Sequence, residues 1–145
     1  YTPFVRLEKG NFRRRDVRGI EPENNGVTHL IPQLIASSAE KAEVILSLFI
    51  EKGYQEVDIN LGCPFPLLAK RHNGSGILPY PEEVKALLSI VTRYPQISFS
   101  VKMRLGWEQP DECLALAPIL NDLPLRQITM HPRLGKQGYK GEVDE

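Results

Sequence analysis

Residues 57–78 read VDINLGCPFPLLAKRHNGSGIL, and this stretch decides the fold. Val57, Ile59 and Leu61 alternate with Asp58 and Asn60, the period of a strand. The chain then turns at Gly62-Cys63-Pro64 and runs through a polar loop rich in Gly and cationic residues, and a helix begins near Pro81. Parallel α/β proteins build sites in this way, with reactive groups at the carboxyl ends of strands and the scaffold rigid behind them. Two later strands repeat the pattern, ending at Lys102-Met103-Arg104 and at His131-Pro132-Arg133.

A chain of 145 residues fits one domain with a real core. Hydrophobic residues at 41% and charged residues at 25% exclude a disordered or fibrous protein. The formal net charge of zero argues against gripping nucleic acid with the whole surface, but leaves room for a local basic patch. Two cysteines, Cys63 and Cys113, are too few for a disulfide framework or a four-ligand zinc site, so no metal and a reducing, cytoplasmic setting are expected. No apolar run is long enough to span a bilayer, so no membrane partner is expected. A start at Tyr1 rather than Met, and an end at Glu145 without a stop signal, point to a piece of a longer chain.

Taken in order, residues 3–7 predict a short strand. Residues 8–28 are polar, with Arg13, Arg14, Arg15 and Arg18, and read either as a solvated loop or as a phosphate-contacting patch. Residues 29–35 predict a second strand in which Pro32 removes a ladder donor. Ser37 to Glu40 fits a capping box, followed by a helix that buries Ala42, Ile45, Leu46 and Phe49 and ends at Gly53. Pro81 starts a second helix with Glu82 and Glu83 in its first turn, a core stripe of Val84, Leu87, Leu88 and Val91, and a stop at Pro95. Residues 97–103 predict a strand. A third helix from about Asp111 buries Leu114, Ala117 and Leu120, with a kink or early break at Pro118. Residues 127–130 predict the last strand.

Strands alternating with helices imply an α/β protein with a mostly parallel sheet. The elements are too few to close a (β/α)8 barrel, which takes about 250 residues. No GxGxxG follows the first strand, as a doubly wound dinucleotide fold would want. An incomplete (β/α)8 TIM barrel is the expected architecture.

The strand-turn Asp58-Ile-Asn-Leu-Gly-Cys-Pro64, followed by Gly74-Ser-Gly-Ile-Leu78, resembles the signature of the tRNA-dihydrouridine synthases. Pro32-Gln33-Leu34, Val101 to Trp107 (VKMRLGW), Ile128 to Arg133 (ITMHPR) and Gln137 to Gly141 (QGYKG) agree with that family in order and spacing. Ile77, where the family has a small residue, and Pro132, where it more often has Gly, are the departures. The resemblance implies that residues 1–145 are the central part of an FMN-binding TIM-barrel catalytic domain. A first strand, two last strands carrying the flavin-phosphate grip, and a helical tRNA-binding domain would then lie outside it.

The resemblance further implies reduction of uridine to 5,6-dihydrouridine in tRNA. Hydride passes from reduced FMN to C6 and a proton to C5, with NADPH reducing the flavin. A thiol, with an unperturbed pKa of about 8.5, holds its proton near neutrality yet releases it readily. Cys63, expected to be exposed on the strand-to-loop turn, is the matching acid. Free cysteines are more often small buried hydrophobes, and Cys113, beside Leu114 in a helix, reads as one.

Lys102 matches the cation beside the flavin N1 and C2 carbonyl, where charge gathers on reduction. Gln33 matches a partner for the ring's polar edge, and His131 a donor to the flavin or its phosphate. Asn60 and Arg104 are the implied readers of the uracil, with Arg133 a further candidate. Lys70, Arg71 and His72 either touch the tRNA backbone or form a solvated loop.

Two other functions fit parts of the pattern. FMN barrels that reduce a free pyrimidine, the dihydroorotate and dihydropyrimidine dehydrogenases, share Asn-x-x-Cys-Pro. A non-catalytic RNA-binding remnant without flavin is the alternative from another class. The 145-residue stretch alone is expected to be inactive, to hold FMN weakly if at all, and to self-associate through its open sheet.

Overall fold

A computed structural model describes the backbone at residues 4–5, 7–8, 11–12, 31–63, 68, 70–106 and 112–134, and side chains within 31–63, 68, 70–104 and 114–130. The strands are β1 (Phe4–Val5), β2 (Leu7–Glu8), β3 (Asn11–Phe12), β4 (Gln33–Leu34), β5 (Glu56–Leu61), β6 (Ser98–Gly106) and β7 (Gln127–Leu134). The helices are α1 (Ala39–Glu51), α2 (Pro81–Leu88), α3 (Ile90–Arg93) and α4 (Glu112–Asn121), with a 3₁₀ turn at Gly74–Ile77.

Strands β1, β4, β5, β6 and β7 form one five-stranded sheet in chain order, every neighbouring pair parallel. Residues in register across a parallel ladder face the same side. One face carries Leu34, Val57, Ile59, Leu61, Phe99, Val101 and Met103, all buried. That face shares a single core with Ala42, Ile45, Leu46 and Phe49 of α1, Val84, Leu87 and Leu88 of α2, and Leu116 of α4. The helices therefore cover one side of a sheet whose strand order never reverses. A doubly wound sheet has helices on both faces and a reversal point, whereas an arc of a (β/α)8 barrel has neither. The expected incomplete barrel is the observed architecture.

The start of the chain differs from expectation. The stretch expected to be one strand over 3–7 holds two, β1 and β2, and β2 pairs antiparallel with β3 inside the segment expected to be a loop. The strand expected over 29–35 is two residues long where described, with 29–30 outside the described residues. Pro32 shows why it starts late. Its carbonyl accepts the Asp58 amide at 3.0 Å, but it has no N–H to return.

The α1 cap lies one residue later than expected. Ser38 is the N-cap and its Oγ accepts from Lys41 N at 3.3 Å, so Glu40 falls short of the third helical position that a capping box requires. The helix ends in a Schellman motif at Gly53, φ +88°, where Gly53 N donates to Ile50 O and Tyr54 N to Phe49 O. The Phe49 and Tyr54 rings meet edge to face across it, with centroids 6.4 Å apart.

The second helix breaks at Ser89 instead of running to Pro95. Ser89 Oγ donates to Ala86 O at 2.6 Å, a local bond that competes with the helical ladder. Helix α4 is turned from the expected face: Leu116 and Leu120 are buried, Ala117 is half-buried and Leu114 is 69% exposed. Its sequence, ECLALAPILN, is apolar nearly all round, so periodicity could not choose the face. Pro118 does not end it, because Pro118 is exposed and water can take the carbonyl that its ring leaves without a donor.

Candidate active site

The face of the sheet opposite the helices carries Gln33, Asp58, Asn60, Ser100, Lys102 and Arg104. Register aligns Gln33 with Asp58 and Ser100, Asn60 with Lys102, and Arg104 with His131. All are buried except Lys102, which is half-buried, and His131, whose side chain is outside the described residues, as are those of Arg133 and Cys113. Lys102 lies within β6 as expected, and Arg104 lies within β6 and His131 and Arg133 within β7 because both strands run further than expected. Lys102 and Arg104 are therefore wall positions on the inner face of the sheet rather than loop positions beyond a strand end.

Buried polar groups need partners, and here the partners form a chain. Arg126 Nη2 donates to Ser100 Oγ at 3.0 Å, and Ser100 Oγ donates to Asp58 Oδ1 at 2.7 Å. Gln33 Nε2 donates to Asp58 Oδ2 at 2.6 Å, and Asn60 Nδ2 donates to Gln33 Oε1 at 3.1 Å. Asn60 Oδ1 accepts from Gly62 N and Cys63 N, both at 2.9 Å. Burial pushes the Asp58 carboxyl up from its ordinary value of 3.8, and the Gln33 and Ser100 bonds and the Lys102 and Arg126 charges pull the other way.

Cys63 is held on both sides. Asn60 takes its amide, while Ser75 N and Ser75 Oγ donate to its carbonyl at 3.0 and 2.8 Å. Gly74, φ +59°, lies so close that a Cβ there would stand 2.7 Å from Cys63 O and 2.8 Å from Cys63 Cβ. Cys63, expected to be exposed, is 7% exposed and packs with Ile35 and Leu68. The 3₁₀ turn folds back over the strand end against the main chain of Cys63. Cys63 is in no disulfide.

The cationic loop is tied to α2. His72, at φ +57°, stacks on Tyr80 with centroids 4.1 Å apart, and its Nδ1 lies 2.7 Å from Glu83 Oε1. Lys70 and Arg71 are exposed on the same loop.

Sequence reasoning missed Asp58, Ser75, Ser100 and Arg126. For Asp58 and Ser100 the signal was present: both occupy the polar phase of strands whose other phase is apolar. Ser75 lies inside the Gly74-Ser-Gly-Ile-Leu78 motif, but its bond to Cys63 is made only by tertiary contact; Arg126 reaches the site from the approach to β7, and no local pattern marks it.

Fold and site together define a parallel (β/α)-barrel protein with a polar, amide- and cation-lined inner face and a clamped cysteine at the end of β5. The whole chain, residues 1–145, matches the model of the family described as dihydrouridine synthase (Dus), and the chain belongs to that family. It is 32% identical to tRNA-dihydrouridine synthase B of Vibrio cholerae over 114 residues, covering 78% of this chain and 33% of that one. It is 32% identical to the probable tRNA-dihydrouridine synthase 1 of Synechocystis over 150 residues, covering 99% of this chain and 40% of that one. With the Escherichia coli tRNA-dihydrouridine synthase B it shares 28% identity over 113 residues, 77% of this chain and 35% of the other. The chain thus spans about a third to two fifths of the length of these relatives. Among the described residues no helix is long and apolar enough to cross a membrane.

Proposed function

We propose that residues 1–145 are the central part of an FMN-binding catalytic barrel that reduces uridine to 5,6-dihydrouridine in tRNA, in the cytoplasm, with NADPH as the reductant. The observation that carries this is the clamp on Cys63 at the end of β5, beside an inner face of amides and cations. Membership of the dihydrouridine synthase family favours it over the barrels that reduce free pyrimidines and over a non-catalytic RNA-binding remnant.

The inner face fits a flavin chemically. An isoalloxazine edge presents donors and acceptors and gathers negative charge on reduction. It meets such a demand in the Gln33 amide, the Lys102 ammonium and the His131 position in register with Arg104. When bound, FMN supplies the hydride for C6 of the uracil. Cys63 holds the proton that goes to C5, and its thiolate regains one from solvent afterwards.

Arg104, Arg133 and Asn60 are assigned to the uridine. Asn60 acts there as a donor, because both lone pairs of its oxygen already accept from Gly62 and Cys63. Lys70 and Arg71 flank the site as contacts for the tRNA backbone. The 145 residues taken alone are proposed to hold FMN weakly and to be inactive.

Stopped-flow reoxidation of the reduced flavoprotein by tRNA tests the proposal. Cys63→Ala should spare flavin binding and flavin reduction by NADPH, and slow reoxidation about a hundredfold to ten-thousandfold. Cys63→Ser should be nearly as slow, a hydroxyl being a far weaker acid. Wild-type reoxidation by a folded Cys63→Ala protein removes Cys63 from the mechanism.

A further inference from the structure

The polar chain behind Cys63 has a direction. An ionised carboxylate only accepts and a backbone amide only donates. At one end, Asp58 requires Gln33 to present Nε2; at the other, the Gly62 and Cys63 amides require Asn60 to present Oδ1. These demands are compatible only if Asn60 Nδ2 donates to Gln33 Oε1, as it does at 3.1 Å. Both amides are thereby locked against flipping. Asp58 is 2% exposed and its charge is disfavoured by that burial, so it is a poor choice for stability alone.

We infer that Asp58 is a positioning residue: through Gln33 and Asn60 it fixes the turn that carries Cys63. Rearward support comes from Ser100, which donates to Asp58 and accepts from Arg126, so the line runs from Arg126 to the Cys63 backbone. The catalytic meaning of that placement rests on the proposal that Cys63 is the acid. The placement itself does not.

Hydrogen exchange at the Gly62 and Cys63 amides in the intact protein, with alkylation of Cys63 by iodoacetamide as a second readout, tests the inference without flavin or tRNA. Asp58→Leu should speed both by about tenfold, as expected when a buried donor loses its acceptor. Asp58→Asn should stay near wild type. Its amide can face Ser100, whose hydroxyl can turn to accept, leaving the carbonyl to accept from Gln33.

Gln33→Glu alone should speed both, because two carboxylates then face each other. Adding Asp58→Asn to it should restore protection, since the new amide donates to the new carboxylate and the acceptor toward Asn60 is kept. Wild-type rates in Asp58→Leu, or a double variant no better protected than Gln33→Glu, overturn the inference. If Asp58→Leu does not fold, the Gln33→Glu pair of variants decides alone, and recovery of folding by the double variant supports it. Unchanged exchange with an inactive Cys63→Ala would remove the relay and keep the proposed acid. Rates that respond as described, with an active Cys63→Ala, would do the reverse.

Discussion

Ser75 donates twice to the carbonyl of Cys63, from its amide at 3.0 Å and from its hydroxyl at 2.8 Å. A buried main-chain carbonyl needs a partner, and this one has two from a single residue. Here the hold fixes where the thiol stands relative to the inner face of the sheet.

That hold is tested from the loop side. Gly74→Ala would put a methyl group 2.7 Å from Cys63 O, at φ +59°, so the turn must move. We expect a loss of about 1–3 kcal/mol in urea denaturation and, if Cys63 is the acid as proposed, a fall in tRNA-dependent turnover of about a hundredfold from its displacement. Ser75→Ala removes one of the two bonds and should cost about 1 kcal/mol. A Gly74→Ala protein with wild-type stability and turnover would show that the close approach is unimportant.

The orientation of α4 buries Leu116 and exposes Leu114, which was expected in the core. Leu116 is fully buried and Leu114 is 69% exposed. Leu116→Ala should lower stability by about 2–5 kcal/mol, and Leu114→Ala should stay within about 0.5 kcal/mol. Equal losses in chemical denaturation would mean that the helix is turned differently.

Asp58 predicts an unusual pH dependence. Its folded carboxyl keeps its proton to higher pH than the unfolded one, chiefly through burial. As pH rises from about 3.8 the unfolded state releases its proton first, and stability falls until the folded group has ionised too. Asp58→Asn has no such loss. It should be more stable than wild type near neutrality, with the advantage vanishing as pH falls below the ordinary carboxyl value. Denaturation midpoints at neutral and acidic pH check this, and a constant difference between the two proteins would contradict it.

Beta7 leaves Ile128 and Met130, on the helix-facing side, each 42% exposed. The 145-residue chain taken alone should therefore self-associate, and Ile128→Lys with Met130→Lys should weaken that association. Sedimentation at micromolar concentration reads both, and a clean wild-type monomer would refute the expectation.

The amino-acid sequence by itself determined the alternation of strands and helices, the buried stripes of α1 and α2, and the turn at Gly62-Cys63. Each is written in local period or local turn chemistry: two for VDINL, three to four for Ala42, Ile45, Leu46 and Phe49. It also carried, in ordered motifs, the family to which the chain belongs. Tertiary structure alone decided the rest. The face that α4 buries depends on what it packs against, since its composition is apolar on most sides. The burial of Cys63 depends on packing against Ile35 and Leu68, and the hold on its carbonyl on the 3₁₀ turn that begins eleven residues later at Gly74. The line from Arg126 through Asp58 to Cys63 joins β4, β5, β6 and the approach to β7, which meet only when the sheet forms. Hydrogen bonds between side chains on different strands depend on register, and register is a property of the assembled sheet rather than of any one segment.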